Sequence, residues 1–180
     1  MSDLRLTLAC WDYDRTIPLM TGRVRPEGID LNYISIPVQE IFFRMLKYHE
    51  FDASEMSMAS YMLSLERPTP EMIAIPVFPM RFFRHASIYV NTNSGIVTPK
   101  DLIGKRVGVP EWQLTAGVWI RGILQDHYGV PLTSVTYFSG GEESSGRKEK
   151  IPFKPPEGVV INQIAPDKTL SAMLDEGEID

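Results

Sequence analysis

The sequence predicts an α/β fold with mostly parallel strands, on three observations. Short apolar runs recur along the chain: LRLTLAC, IDLNYISI, VGVP, VTYF and VVINQIA. Stretches with helical spacing fall between them: VQEIFFRMLKYHE, SMASYMLSLE, QLTAGVWIRGILQDHYG and TLSAMLDEG. Gly and Pro punctuate the joins. Strand and helix in alternation is the mark of sheets flanked by helices.

LRLTLAC alternates apolar and polar residues, the period of a half-buried strand. A turn region with Pro18 and Gly22 follows, then RPEG and the strand IDLNYISI. In the next helix Val38, Ile41, Phe42, Met45 and Leu46 form one face, and Pro37 suits its first turn. His49 lies in register with that face, which predicts a packed histidine at the helix end. FDASEMS is short and extended. SMASYMLSLE predicts a helix closed by Pro68. MIAIPVF and HASIYVN predict strands, the first limited by Pro76.

In DLIGKRVGVP a helical turn and a glycine precede a buried strand. QLTAGVWIRGILQDHYG predicts a helix stopped by Gly129, with His127 in its last turn. GGEESSGRKEKIPFKPPEG, between the last two strands, is polar, charged and long for a connection, as a surface excursion is. TLSAMLDEG predicts a final helix. An α/β unit places a strand after such a helix, and the sequence ends at GEID. The expectation is a chain whose C-terminal part is missing, or terminal residues that form a strand stub.

Composition excludes several classes. The 180 residues suit one domain, or one and part of another. With 43% apolar residues the chain can build a core. A net charge of -5 argues against a nucleic-acid surface. The single cysteine, Cys10, excludes a disulfide framework and a multi-Cys metal site. No apolar run approaches the length of a membrane span, and MSDLRLTLAC lacks the pattern of a secretory signal. A cytoplasmic location is expected, with no membrane or nucleic-acid partner. A homo-oligomer stays open.

Four segments hold candidate chemistry. In open α/β sheets ligands bind beyond the carboxyl ends of strands, where Trp11, Asp12, Tyr13, Asp14 and Arg15 follow the first strand. Arginine suits a carboxylate, acids move protons or hold hydroxyls, and aromatics make flat walls. The competing interpretation is a loop with a weak Asp12–Arg15 or Asp14–Arg15 surface pair. Glu55 follows a short extended run and precedes a helix, so it is a site acid or a helix N-terminal charge. Arg81, Arg84 and His85 form a basic group, solvated or functional, in which His85 is a candidate acid or base. Glu111, Trp112, Gln113 and Thr115 lie between a strand end and a helix start. That place is either an anion site or an ordinary helix start. No histidine pair has metal-ligand spacing. The glycine spacing matches no Walker or dinucleotide motif, and there is no nucleophile elbow.

CWDYDRT, RPEGIDLNY, EIFFRML, FDASEMS, AIPVFPMRFFRHASIYVN, DLIGKRVGVPEWQLTAGVWIRGIL and GEID resemble the 4,5-dihydroxyphthalate decarboxylase family over nearly all of the chain. The resemblance implies a type 2 periplasmic-binding-protein-like fold: two lobes of mostly parallel sheet, helices on both faces and ligand in a cleft. Residues 1–92 would start the first lobe and 98–180 the second. Family members continue past GEID and return to the first lobe.

The implied reaction removes CO2 from a dihydroxylated aromatic dicarboxylate, a step of phthalate degradation in aromatic catabolism. A phenol oxygen para to the leaving carboxylate pushes electrons into the ring, and an acid protonates the carbon bearing that carboxylate. Arg15, Arg84 and Gln113–Thr115 are then candidate carboxylate holders. Glu55 or His85 is the proton donor, Asp12 or Asp14 accepts from the catechol, and Trp11 and Trp112 flank the ring. No cofactor is expected. Asp12, Glu55 and His85 suit a divalent metal by donor type, with no support from spacing. The alternative is a non-catalytic binding protein for a small aromatic or carboxylate ligand, since fold does not set function. The missing secretory signal and the several proton carriers weigh against it.

Overall fold

The computed structural model describes residues 3–149 and 153–180. The chain divides into two compact units between Phe82 and Phe83. Residues 83–92, expected with the first region, therefore belong to the second unit. Both units are α/β with parallel sheets.

In the first unit β1 (Leu4–Ala9) is central, with β2 (Ile29–Ile34) and β3 (Ala53–Ser54) on either side, all parallel. The register runs Leu4 to Ile29 through Ala9 to Ile34. The Pro18 turn is a four-residue helix, α1 (Ile17–Met20). The amphipathic stretch forms α2 (Val38–Tyr48), with Pro37 at its N-cap. Its stripe packs as the spacing predicts: Ile41 is fully buried with Ala9 and Phe51, and Phe42 and Met45 lie against them. His49 differs from expectation. It is the C-cap in the left-handed region, φ 49°, and its exposed ring reaches Glu71 at 3.2 Å. The cap conformation turns the side chain out of the helix register. α3 (Met58–Ser64) is capped by Ser57, whose side chain accepts from Ser60 N–H.

MIAIPVF is not a strand. Residues 72–78 have no ladder, and Ile73 is 93% exposed. A strand needs a neighbour for its backbone groups, Pro76 removes one donor, and no described strand of this unit pairs there. HASIYVN fails likewise: Arg84–Ser87 is a 3-10 turn.

In the second unit the sheet order is β4 (Arg106–Val109), β5 (Thr136–Ser139), β6 (Val160–Gln163), again parallel. α4 (Thr115–Tyr128) follows β4 and ends at Gly129, φ 66°, as the sequence predicts. α5 (Leu170–Asp175) starts at Thr169, whose hydroxyl caps Ala172 N–H. Alternate residues divide the core. Val109 and Tyr137 pack with Leu102, Trp112, Val130 and Val135, whereas Phe138 meets Leu170, Met173 and Ile179. A two-residue period on one strand thus serves two layers. Ile179–Asp180 run beside β4: Asp180 N–H donates to Arg106 O at 2.9 Å and Asn91 N–H to Asp180 O at 3.0 Å. No described helix is long and apolar enough to cross a membrane.

Candidate active site

Parallel strands bring their carboxyl ends to one edge, so each unit gathers the residues that follow its strands. In the first unit Trp11 follows β1 and Glu55 follows β3. Glu55 N–H bonds Ala9 O at 3.0 Å, which fixes the backbone. The Glu55 side chain is buried. Its Oε1 accepts from Trp11 N–H at 2.6 Å and its Oε2 from the Tyr13 hydroxyl at 2.8 Å. Both bonds run to the 11–13 turn after β1. Burial pushes the Glu55 carboxyl up from its ordinary value, against the two hydrogen bonds. The Tyr13 phenol is also pushed up, by burial first and then by Glu55. Of this pair, Tyr13 keeps its proton and Glu55 titrates.

The turn carrying Tyr13 is wound tightly. Thr16 Oγ1 donates to Trp11 O at 2.9 Å, and Tyr33 hydroxyl donates to the same oxygen at 3.0 Å. Burial raises Tyr33 to about 12 and raises the Cys10 thiol. Glu55 therefore has three weak acids around it that stay neutral.

The other candidates of this unit are less enclosed. Trp11, Asp12, Asp14 and Arg15 are exposed. Arg15 pairs with Asp14 at 3.2 Å and donates to Pro79 O. That is the surface pair considered above. A hollow of about 910 Å³ on the α1–β2 side, lined by Arg5, Met20, Arg25 and Asp30 among others, contains none of the candidates.

In the second unit Trp112, Gln113 and Thr115 lie where expected, between the end of β4 and the start of α4. Trp112 is not a free wall. Tyr137 meets it edge-on at 4.9 Å, Phe153 stacks at 6.3 Å, and the Arg121 guanidinium covers it at 3.7 Å. Its backbone N–H instead donates to Glu149 Oε1, and Gln113 Nε2 donates to Glu149 Oε2 at 3.3 Å. Glu111, 2% exposed, pairs with Arg147 at 2.6 Å. The excursion after β5 thus returns to the start of α4.

Arg84 opens the 3-10 turn and His85 follows it. His85 stacks on Phe83 at 4.8 Å and meets Tyr128 edge-on at 6.0 Å. Tyr128 is the last residue of α4 and Thr115 its first, about 20 Å apart at 1.5 Å per residue. The second unit therefore does not bring His85 and Thr115 together. Among the described residues no three His, Cys, Asp or Glu side chains cluster as a metal site.

The sequence places Tyr13 in the Trp11–Arg15 group without a role of its own, and gives no role to Arg121 or Glu149. A tyrosine four residues beyond the end of β1 was a usable signal for the first. The other two carried none, because helix packing and a loop's return place them.

No family profile matches the chain. Curated relatives do. The chain is 44% identical over 180 residues to the 4,5-dihydroxyphthalate decarboxylase of Comamonas testosteroni, covering all of this chain and 54% of that protein. It is 43% identical over 180 residues to the 4,5-dihydroxyphthalate decarboxylase of Pseudomonas putida, covering all of this chain and 70% of that protein. It spans about half the length of the first relative and just over two thirds of the second. With this identity along its whole length, the chain belongs to the 4,5-dihydroxyphthalate decarboxylase family.

Proposed function

We propose that the chain serves a carboxy-lyase that converts 4,5-dihydroxyphthalate, or a close dihydroxylated aromatic dicarboxylate, to a dihydroxybenzoate and CO2. The finer fold reading, a type 2 periplasmic-binding-protein-like pair of lobes, belongs to the proposal and rests on the sequence resemblance. The relatives' names support the substrate class.

The observation that carries the chemistry is the buried Glu55, raised by desolvation and held at a strand end by Trp11 N–H and Tyr13. A carboxyl that keeps its proton above the usual range is a fitting general acid. In the proposed reaction the phenolate para to one carboxylate donates an electron pair to the ring. Glu55 delivers a proton to the carbon bearing that carboxylate. The C–CO2 bond then breaks, its electron pair restores the aromatic ring, and the phenol oxygen and Glu55 regain protons from solvent. In the second unit, the turn at Trp112–Gln113 already holds a carboxylate, that of Glu149, through N–H donors. Glu55 is preferred to His85 because its carboxyl is buried and raised above its ordinary value.

The test is turnover of 4,5-dihydroxyphthalate, followed by release of CO2 and dihydroxybenzoate. Glu55→Gln should lower kcat at least about 100-fold, and His85→Ala should change it little. Normal turnover by Glu55→Gln removes the acid role. Substrate recovered unchanged from the unmodified protein removes the proposal.

A further inference from the structure

Glu149 is an acid of the chain lodged where a ligand's carboxylate is expected. Its two oxygens take the Trp112 backbone N–H and the Gln113 amide, a two-point grip on a planar anion. Behind this turn lies Arg121, only 7% exposed. Its Nη2 donates to Trp112 O, and its Nη1 has no hydrogen-bond partner among the described residues. A buried guanidinium with an unmatched N–H favours a nearby anion, and Glu149 supplies one electrostatically. α4 follows directly and is 14 residues long, and its N-cap residue, Leu114, makes no side-chain cap bond. Its positive end adds to the same field.

Charge balance points the same way. Arg147 is matched by the buried Glu111 at 2.6 Å. Of these four charged groups, Arg121 is then matched by Glu149. If Glu149 leaves, one positive charge and two donors remain, which one carboxylate satisfies.

We propose that the Glu149 carboxylate is a resident substitute for a ligand carboxylate at the Trp112–Gln113 turn, and that an aromatic dicarboxylate binds there by displacing it. This rests on the reading that the turn holds a substrate carboxylate. It adds that the site is self-occupied, so apparent affinity reports a competition. A resident anion also keeps the donors oriented before the ligand arrives.

Phthalate tests this without turnover, because it has both carboxylates and no hydroxyl to push electrons. Its affinity is measured by titration calorimetry on the unmodified protein, Glu149→Gln and Glu149→Ala. Both variants should bind phthalate about tenfold tighter, since an occupant present in about nine tenths of molecules weakens apparent affinity tenfold. Equal or weaker binding by the variants overturns the displacement and leaves the carboxylate reading standing. No binding to any of the three proteins removes both. A second measurement needs no substitution: the Glu149 carboxyl carbon-13 signal of the unmodified protein should shift on saturation with phthalate. An unmoved signal under saturation overturns the proposal.

Discussion

The Tyr13 hydroxyl donates to Glu55 Oε2 at 2.8 Å across 42 residues of sequence. The bond joins the turn after β1 to the end of β3, so two strand ends share one proton network. It favours the ionised carboxylate, while burial favours the neutral acid, and burial is the larger effect.

Tyr13→Phe removes the hydrogen bond and leaves the ring. Stability should fall by about 1 kcal/mol. The Glu55 carboxyl should titrate still higher, because a bond to its charged form is gone. Carbon-13 titration of the Glu55 carboxyl and urea denaturation measure the two effects.

Glu55→Gln should alter the pH dependence of stability with a definite sign. The folded-state value of Glu55 lies above its ordinary 4.5. The contribution is therefore fully present below 4.5 and is lost as pH rises through the raised value. Relative to Glu55→Gln, the unmodified protein should lose stability as pH increases over that window. Denaturation midpoints of both proteins, taken from pH 4 to 7, give the difference. A flat difference would rule out the shift.

Asp180→Asn should act in the opposite direction. Arg106 holds the Asp180 carboxyl at about 2, below its ordinary 3.8, through bonds of 3.0 Å from both Arg106 N–H and Nε. A depressed value contributes stability above 3.8 that is lost as pH falls toward 2. The substitution should cost about 2 kcal/mol at pH 6, the size of a hydrogen bond to a charged group. Near pH 2 the cost should shrink. Thermal melts at the two pH values test it.

Gly141→Ala should disturb the turn after β5. A Cβ there would lie 1.7 Å from the backbone oxygen of Ser144, and backbone cannot swing aside as a side-chain end can. Gly141 O also accepts from Leu170 N–H at 2.8 Å, which ties the turn to α5. A loss of about 3 kcal/mol is expected, measured by chemical denaturation.

Local patterns in the sequence determined the α/β class, the strands β1, β2, β4, β5 and β6, the stripe of α2 and the Gly129 stop. Each depends on a spacing of two or 3.6 residues, or on one glycine's freedom at positive φ, and these need no distant partner. The same patterns placed Glu55 and Trp112–Thr115 at strand ends. Only the tertiary structure decided that 72–78 lacks a ladder, because a strand exists through its neighbour. Only it showed the Trp112 ring as core, Glu55 bonded to Tyr13, and Glu149 lodged at the turn before α4. The side-chain hydrogen bonds of Glu55 and Glu149 join residues 36 to 44 apart in the chain. They arise where parallel strands end on one edge and loops return to it, which no short window of sequence can express.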